Sequence, residues 1–353
     1  MENNSFVDRY FPEIFIFSSI TILVVSLFVM NSVIFPFFAA AASAYITYPL
    51  FLFTFKVVKK PRISAILIVF LLILIIAGTI LIILPVLIKQ IESFIDYLPT
   101  LLNKIDFYIS KFSGKKLFAG KFNPDNIKEI LSMVYSNISF DSSITFATFV
   151  QKLFSGVFSV ASIIINLVII PILTYYFFVD WKGIKELYIK LVPKKHRKDT
   201  EKLLEKVNES LAGYIRGQLL MALFVGAFFA VTLTAIGIRY SFLISFAAGV
   251  MNMIPYVGFY TGLIPSLLLA IFDNGDLFHI VGVIVIFLSE AAIENVIYPM
   301  VMSRTTGIKP LLIFFAIFFG ATYGGFLGIV VGVPVVAMIL PVFESFMEKR
   351  EAE

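Results

Sequence analysis

The chain has 353 residues, of which 59% are hydrophobic and only 14% are charged, and its mean hydropathy is +0.97. Soluble domains are closer to half apolar and a quarter charged, so the composition excludes a soluble globular protein. Cysteine is absent, which excludes disulfides, zinc–thiolate sites and thiol catalysis, and the net charge of +5 does not indicate a nucleic-acid partner.

Apolar runs long enough to cross a bilayer dominate the sequence. About 20 residues of straight helix span the ~30 Å hydrocarbon core. We therefore predict an all-α membrane protein, with the lipid bilayer as its first partner. About six full transmembrane helices are predicted, at 13–33, 34–55, 63–88, 154–179, 214–236 and 277–300.

Two further apolar runs, 241–272 and 310–343, are too long for one untilted span, and both are interrupted by glycine and proline. Proline removes a helical hydrogen bond, and non-helical backbone at membrane depth needs protein or a wet cavity to satisfy it. Interrupted segments of this kind are typical of transport sites. We predict two re-entrant hairpins; two kinked, continuous helices with small-residue packing faces are the alternative.

Charges beside the spans predict the orientation. The basic segments 56–62 and 182–206 indicate the cytoplasmic side, and the acidic segment 273–276 indicates the outside. Arg304 and Lys309 lie inside only if each long run returns to the side from which it entered. We therefore predict a multi-pass protein of the inner (cytoplasmic) membrane with both termini in the cytoplasm.

An extramembrane insertion is predicted at 89–152, between the third and fourth spans. Apolar residues from Ile91 to Phe112 recur at three- and four-residue steps, which predicts an amphipathic helix. A second such helix is predicted near Asn123 and Pro124, an N-cap and a first-turn proline. A lid packed on the chain's own spans is favoured over a membrane-surface element or a contact between subunits.

Enzyme motifs are absent from the sequence. It contains no HExxH, no GxSxG and no phosphate-binding GxxxxGK[ST], and its two histidines have no partners in a metal-binding pattern. We predict no catalytic residues, no metal and no cofactor. Transport, which the interrupted runs indicate, would then be passive or driven by an ion gradient rather than by ATP.

Two carboxylates lie within the apolar run 277–300. Glu290 and Glu294 are four residues apart, so both lie on one helix face, and Asn295 adds an amide. A carboxylate at this depth is costly unless it is paired or protonated. We predict that these three residues couple transport to a proton or to Na⁺. The alternative is structural: Arg216, with Gln218 nearby, pairs with Glu294 to join two helices.

Residues at the breaks of the two long runs are the candidates for solute binding. Freed carbonyls and half-helix ends can coordinate a cation or hydrogen-bond a polyol. The predicted set comprises Asn252, Pro255, Tyr256, Gly258, Thr261, Gly324 and Gly325. Each residue alone is also explained by helix packing.

Five blocks of the C-terminal half resemble the autoinducer-2 exporter family of polytopic membrane transporters. These blocks are 213–220 (GYIRGQLL), 252–258 (NMIPYVG), 293–300 (IENVIYPM), 307–312 (GIKPLL) and 325–334 (GFLGIVVGVP). The chain departs from the family at Lys309, commonly histidine, and at Phe259, commonly proline. The resemblance implies a secondary transporter that forms a homo-oligomer, with a pentamer suggested. It leaves open whether the substrate is an autoinducer-2-like solute or the chain is a Na⁺(Li⁺)/H⁺ antiporter.

Together these features predict five regions of the chain. They are a transmembrane scaffold at 1–88, the insertion at 89–152, the fourth span with a basic loop at 153–210, a transport core at 211–345 and a cytoplasmic tail at 346–353. We expect export of a small polar solute, coupled to a proton or sodium gradient through a membrane-embedded carboxylate. The alternatives are a Na⁺(Li⁺)/H⁺ antiporter and a passive pore or structural scaffold.

Overall fold

The structure, a computed structural model, describes residues 7–29, 31–113, 160–302 and 308–351. Apart from a 3₁₀ turn at Lys194–His196 and a π-helical turn at Ala270–Asn274, every regular element in these residues is an α-helix. This confirms the all-α fold class. The helices are α1 Phe11–Val29, α2 Asn31–Val58, α3 Pro61–Ser113, α4 Val160–Leu191, α5 Arg197–Ala235, α6 Ser241–Met251, α7 Val257–Leu269, α8 Leu277–Met302 and α9 Pro310–Glu351.

Six helical segments in the described part of the chain are long and apolar enough to cross a membrane. These segments are Pro36–Val58, Pro61–Ile91, Lys194–Ala235, Val257–Asn274, Leu277–Ile297 and Gly328–Glu351. The number agrees with the prediction, but the set does not. The predicted first span, 13–33, corresponds to the shorter apolar helix Phe11–Ser26, and two of the six segments come from the long interrupted runs. The predicted fourth span begins outside the described residues.

The predicted third span and first amphipathic helix form one continuous element, α3, of 53 residues. At 1.5 Å per residue this helix is about 80 Å long, more than twice the thickness of a bilayer core. It runs through Pro85 and Pro99 without ending. The amphipathic stripe is therefore an extension of a transmembrane helix. The second predicted amphipathic helix lies outside the described residues.

The predicted basic loop at 182–206 is largely helical. Helix α4 continues to Leu191, a short turn follows Pro193, and α5 begins at Arg197. Acidic residues among the bases explain the difference, because Lys185 pairs across the turn with Glu201 at 3.0 Å and with Glu205 at 2.8 Å. The positive charge does not indicate irregular structure, and the extramembrane location of this segment stays a prediction.

The first long run folds back on itself as a pair of helices, α6 and α7, which we call hairpin 1. Its two ends lie together, because Arg239 before α6 and Asp273 after α7 form an ion pair with an Nε–Oδ2 distance of 3.3 Å. A single kinked span would separate these residues by the thickness of the membrane. The run therefore returns to its starting point, while its re-entrant position in a bilayer stays a prediction.

The second long run is α9, which we call hairpin 2. Its single non-helical residue, Gly325 (φ 56°, ψ −138°), divides it into arms 310–324 and 326–351. The arms touch where a Cβ on Gly320 would lie 2.1 Å from the carbonyl oxygen of Gly328. The second arm contains Gly328–Glu351, one of the six segments that are long and apolar enough to cross a membrane, so a re-entrant position of hairpin 2 stays a prediction.

By its internal contacts the chain divides into two compact units, each built from separate stretches of sequence. Unit 1 comprises Met1–Ile75, Ile165–Leu220 and Asn295–Glu353, and unit 2 comprises Ile76–Ile164 and Met221–Glu294. Hairpin 2 belongs to unit 1 and hairpin 1 to unit 2. The boundaries fall inside α3, α4, α5 and α8, so they follow three-dimensional packing; the five regions predicted along the sequence stay a prediction.

Contacts inside unit 1 bring both ends of the chain to one place. Glu13, near the start of α1, is 3% exposed and pairs with Lys349 of α9 at 2.8 Å. Asp8 pairs with His196 at 2.9 Å and also with Lys195, both in the turn before α5. The two termini and the basic turn therefore share one side, as the charge pattern requires.

Candidate transport site

The break in hairpin 1 lies between α6 and α7, at residues 252–256. Asn252 caps α6 and is buried, and its backbone N–H donates to the carbonyl of Ala248 at 2.8 Å. Pro255, also buried, has no N–H to donate. Tyr256 starts α7 from a left-handed backbone conformation (φ 69°) and exposes much of its ring. The break thus combines a buried amide, interrupted helical bonding and an accessible aromatic edge.

Glycine holds the two helices of hairpin 1 together. A Cβ placed on Gly258 would lie 2.5 Å from both the carbonyl oxygen of Ala248 and the Cβ of Asn252. No side chain fits at that distance, so Gly258 is required for packing rather than for binding. Thr261, one turn further, donates its hydroxyl to the carbonyl of Val257 in its own helix at 2.8 Å.

The two membrane carboxylates differ in their surroundings. Glu290 is 1% exposed, and its Oε2 has no hydrogen-bond partner among the described residues. Glu294 is half-buried, and Asn295 is exposed. Of the two carboxylates, Glu290 has the deeper position in the structure. Nothing in the sequence could rank them, because both lie on the same helix face in the same apolar run.

Ring contacts fix how α8 lies along hairpin 1. Phe287 packs against Phe259 with ring centroids 5.5 Å apart, and its ring also reaches the position of a Cβ on Gly262 at 3.1 Å. Helices α7 and α8 run in opposite directions from the turn at 273–276. Glu290 follows Phe287 by about one helical turn, in the direction away from residues 273–276. It therefore lies on the side of Phe287 that is nearer the break at 252–256.

The glycines of the second break have apolar surroundings. A cavity of about 250 Å³ lies between α1, α2 and both arms of hairpin 2, and Gly324 is part of its wall. The one hydroxyl in that wall, on Thr21, donates to the carbonyl of Phe17 at 2.9 Å. Gly325 supplies the left-handed turn between the arms and has open space around it. The cavity wall can hold apolar groups, and solute binding at Gly324 and Gly325 stays a prediction.

Arg216 has a partner on another helix. Its Nε donates to the backbone carbonyl of Tyr45 in α2 at 2.8 Å, so it does join two helices. Gln218, one half-turn further along α5, is buried. Pairing of Arg216 with Glu294 stays a prediction.

Two buried polar groups were missed by the sequence analysis. Glu13 was taken as the edge of an apolar run, yet it accepts hydrogen bonds from Ser345 at 2.8 Å and from Lys349. Ser266 in α7 is completely buried, and its hydroxyl has no hydrogen-bond partner within the described residues. Glu13 carried a signal, since it is an acidic residue flanked by apolar ones; Ser266 carried none. Across the described ranges no group of three or more His, Cys, Asp or Glu side chains could hold a metal.

The sequence profile described as "AI-2E family transporter" matches residues 16–348, nearly the whole chain. The chain belongs to the AI-2E transporter family. Membership makes it a membrane transport protein, and with the apolar helices above it is a multi-pass one. The family resemblance predicted from the five sequence blocks is thereby confirmed.

Several relatives of this AI-2E family member come from Bacillus subtilis (strain 168). "Putative transport protein YrrI" is 30% identical over 205 residues, 58% of each chain. "Putative transport protein YueF" is 26% identical over 265 residues, 73% of this chain and 69% of that protein. "Putative transport protein YtvI" is 22% identical over 362 residues, 97% of this chain and 95% of that protein. The match thus spans little more than half of YrrI but almost all of YtvI.

Proposed function

We propose that this chain is a secondary transporter that exports a small polar solute and couples export to the proton gradient through Glu290. The observation that carries the proposal is the buried carboxyl group of Glu290, whose Oε2 finds no donor among the described residues. Na⁺ remains the alternative coupling ion. Glu294, one turn away and half-buried, is the second carboxylate of the coupling pair.

Physical chemistry favours a proton over a permanent charge at Glu290. An ionised carboxylate without donors is strongly disfavoured in a low-dielectric interior, whereas a neutral carboxyl group is tolerated. The group therefore rests protonated and ionises only when water or a cation reaches it. Proton coupling requires a carboxyl group that alternates between the protonated and the ionised state while the helices around it rearrange.

Hairpin 1 supplies the polar groups for the solute. Its break at 252–256 interrupts the helical hydrogen bonds, and carbonyls freed in this way can bond a hydroxylated solute. Asn252, which is buried at the same break, adds an amide that both donates and accepts. A small autoinducer-2-like polyol fits this chemistry. The family resemblance supports a homo-oligomer in the inner membrane, and a pentamer remains the expected assembly.

The orientation follows from charge and contacts together. The shared position of the two termini and the basic turn at 192–197 supports a cytoplasmic location for all three. The acidic residues Asp273 and Asp276 at the ends of hairpin 1 favour, by their own charge, a location outside the cell. We propose that the solute leaves on that side.

Na⁺(Li⁺)/H⁺ antiport is the second candidate, favoured by one specific observation. Glu290 and Glu294 lie one turn apart on α8, and two carboxyl groups at this spacing can exchange a proton for a monovalent cation. The two functions are distinguished by what collapses a pH gradient. The polar solute does so if the chain is an exporter, and Na⁺ or Li⁺ does so if it is an antiporter.

The test is dissipation of a pH gradient in proteoliposomes, with Na⁺, Li⁺, K⁺ and labelled autoinducer-2 added in turn. Glu290→Gln and Glu294→Gln are compared with Glu344→Gln, which replaces an exposed carboxylate near the end of α9. We expect autoinducer-2 to collapse the gradient in the wild type and in Glu344→Gln but not in Glu290→Gln. Collapse by Na⁺ or Li⁺ alone establishes the antiporter. Solute flux that is independent of the gradient and unchanged in Glu290→Gln establishes a passive pore.

A further inference from the structure

A group of four polar side chains joins the two ends of hairpin 1 to the extension of α3. We call it the Asp273 clamp, and its members are Tyr97, Lys104, Arg239 and Asp273. The Tyr97 hydroxyl donates to Asp273 at 2.6 Å, and the cations of Arg239 and Lys104 lie 3.3 and 3.5 Å from the same carboxylate. The Arg239 guanidinium also lies over the Tyr97 ring, 4.7 Å from its centroid.

The clamp connects three separate pieces of sequence. Tyr97 and Lys104 are on α3, Arg239 precedes α6, and Asp273 lies in the π-helical turn after α7. A second contact reinforces it, because the Tyr240 hydroxyl donates to the carbonyl of Ser93 at 2.9 Å. Hairpin 1 is therefore held at both its entry and its exit by one helix.

The contacts of the clamp are suited to opening. The side chains of Lys104 and Arg239 are 40% and 50% exposed, whereas that of Asp273 is 15% exposed. Water that reaches the two cations screens their ion pairs with Asp273 and keeps each pair weak. Burial, together with the hydrogen bond to Asp273, raises the pKa of Tyr97, so its hydroxyl keeps its proton and remains a donor. Several weak, directional contacts therefore hold hairpin 1 in one position against α3 but can break.

The backbone on either side of hairpin 1 has the features of hinges. Before α6, Gly237 (φ 76°) and Tyr240 (φ 59°) both have left-handed conformations, and Tyr240 does so at an energetic cost because it carries a side chain. After α7, the π-helical turn Ala270–Asn274 ends at Gly275 (φ 72°). Such turns are frequent at functional sites. The strained positions lie beside the clamp rather than in the middle of the helices.

We propose that Asp273 is a positioning residue that holds hairpin 1 against α3, and that the clamp must release for solute to leave. The proposal rests on the proposed transport function, since release has a role only if hairpin 1 moves in a transport cycle. Neutralising Asp273 then shifts the population toward the released state. An open surface depression lies beside the clamp and is lined by Ser93, Asp96, Tyr97, Thr100, Arg239 and Tyr240.

The first experiment measures accessibility at the break. Because the chain contains no cysteine, Met253→Cys, an exposed position in the break, introduces a single label site. The rate of its reaction with a bulky maleimide is measured in nanodiscs, alone and combined with Asp273→Asn. We expect a rise of about two- to fivefold, the effect of losing one or two exposed ion pairs.

Asp276→Asn is the matched control for this experiment. Asp276 is in the same loop, but its partner is His279, three residues on in the sequence, and it lies outside the clamp. The double variant Met253→Cys/Asp276→Asn should react with the maleimide at the same rate as Met253→Cys alone. An unchanged rate in Asp273→Asn, or an equal rise in Asp276→Asn, overturns the proposal.

The second experiment locks the clamp without altering its four members. Ser93→Cys and Tyr240→Cys place thiols on two residues whose native hydroxyl oxygens are 3.2 Å apart. Because a cysteine side chain is much shorter than that of tyrosine, the thiols are farther apart than the native oxygens and need a flexible bridge. Bridging them with a flexible bifunctional thiosulfonate should stop transport, and dithiothreitol should restore the rate of the unbridged double variant. The same reagent should not change the rate of either single variant from its own untreated value. Full transport by the bridged protein shows that the clamp is static and overturns the proposal while the transport function stands. If the wild type transports no solute, the proposed function fails, and the labelling rates still decide whether the clamp opens.

Discussion

The two hairpins have the same sequence signature, a long apolar run interrupted by glycine and proline, but they have different chemistry. Hairpin 1 contains a buried amide at its break, lies beside the helix that carries Glu290, and is tied at its ends by exposed polar contacts. Hairpin 2 closes through backbone contacts between glycines and borders an apolar cavity. The interruption therefore indicates a helical turn-back, whereas the polar residues around it support the proposal that solute binds at hairpin 1 and not at hairpin 2.

The largest expected effect concerns the glycine contact of hairpin 2. In Gly328→Ala the new methyl group meets the carbonyl oxygen of Gly320 at 2.0 Å, and because both atoms belong to backbone the arms must separate. We expect a loss of about 3 kcal/mol or more in stability, seen as a large fall in the thermal midpoint of the purified protein. Gly183→Ala, in open space on α4, should instead stabilise by roughly 0.5–1 kcal/mol. Equal midpoints for the two variants would contradict the tight packing of hairpin 2.

The second prediction compares how the two hairpins are anchored. Hairpin 2 ends near the buried pair of Glu13 and Lys349, whereas the clamp of hairpin 1 is half-exposed. Glu13→Gln leaves Lys349 without its charge partner in a partly buried place, and we expect a cost of about 1–3 kcal/mol. Glu348→Gln, which breaks only the exposed pair with Lys206, should change stability by less than about 0.5 kcal/mol. Chemical unfolding of both variants in the same detergent decides between them.

The third prediction tests whether solute binds at the break of hairpin 1 and not at the break of hairpin 2. Asn252→Ala should slow solute transport by about tenfold, the effect of losing one well-placed hydrogen bond to a buried solute. Thr322→Ala, at the break of hairpin 2, should leave the rate nearly unchanged, because its hydroxyl donates to Phe318 in its own helix. Initial rates in proteoliposomes, at equal protein content, measure both. Equal losses would mean that hairpin 2 also contacts solute.

The smallest effect concerns the exposed carboxylate of Asp8. Its hydrogen bonds with Lys195 and then with His196 lower the pKa of Asp8 below the ordinary 3.8. A lowered pKa in the folded protein gives stability that is present above the unfolded value and is lost as the pH falls through the folded value. The thermal midpoint of Asp8→Asn should therefore lie slightly below that of the wild type at pH 6, and the difference should shrink as the pH falls below 3.8 and vanish once Asp8 is protonated in the folded protein. A constant difference across this range would exclude ionisation of Asp8 as the cause.

Composition and periodicity were sufficient for the helical fold, the two turn-backs and the two membrane carboxylates. They were insufficient for the continuity of α3, because the amphipathic stripe after residue 88 looks the same whether or not a helix ends before it. They also could not rank Glu290 above Glu294 or reveal that Arg239 and Asp273 meet. Each of these depends on contacts between residues distant in sequence, and a single sequence does not contain that information.

The length of α3 links this protein to the thickness of its membrane. Its apolar segment, Pro61–Ile91, has 31 residues and is about 46 Å long, well beyond the ~30 Å hydrocarbon core. Such hydrophobic mismatch is relieved by tilting or bending the helix or by thickening the lipid around it. Tyr97 and Lys104, which contact the ends of hairpin 1, lie on the same helix. A change in the tilt or bend of α3 is therefore expected to act on these contacts. The length of the lipid chains is thus expected to affect the contacts between α3 and hairpin 1.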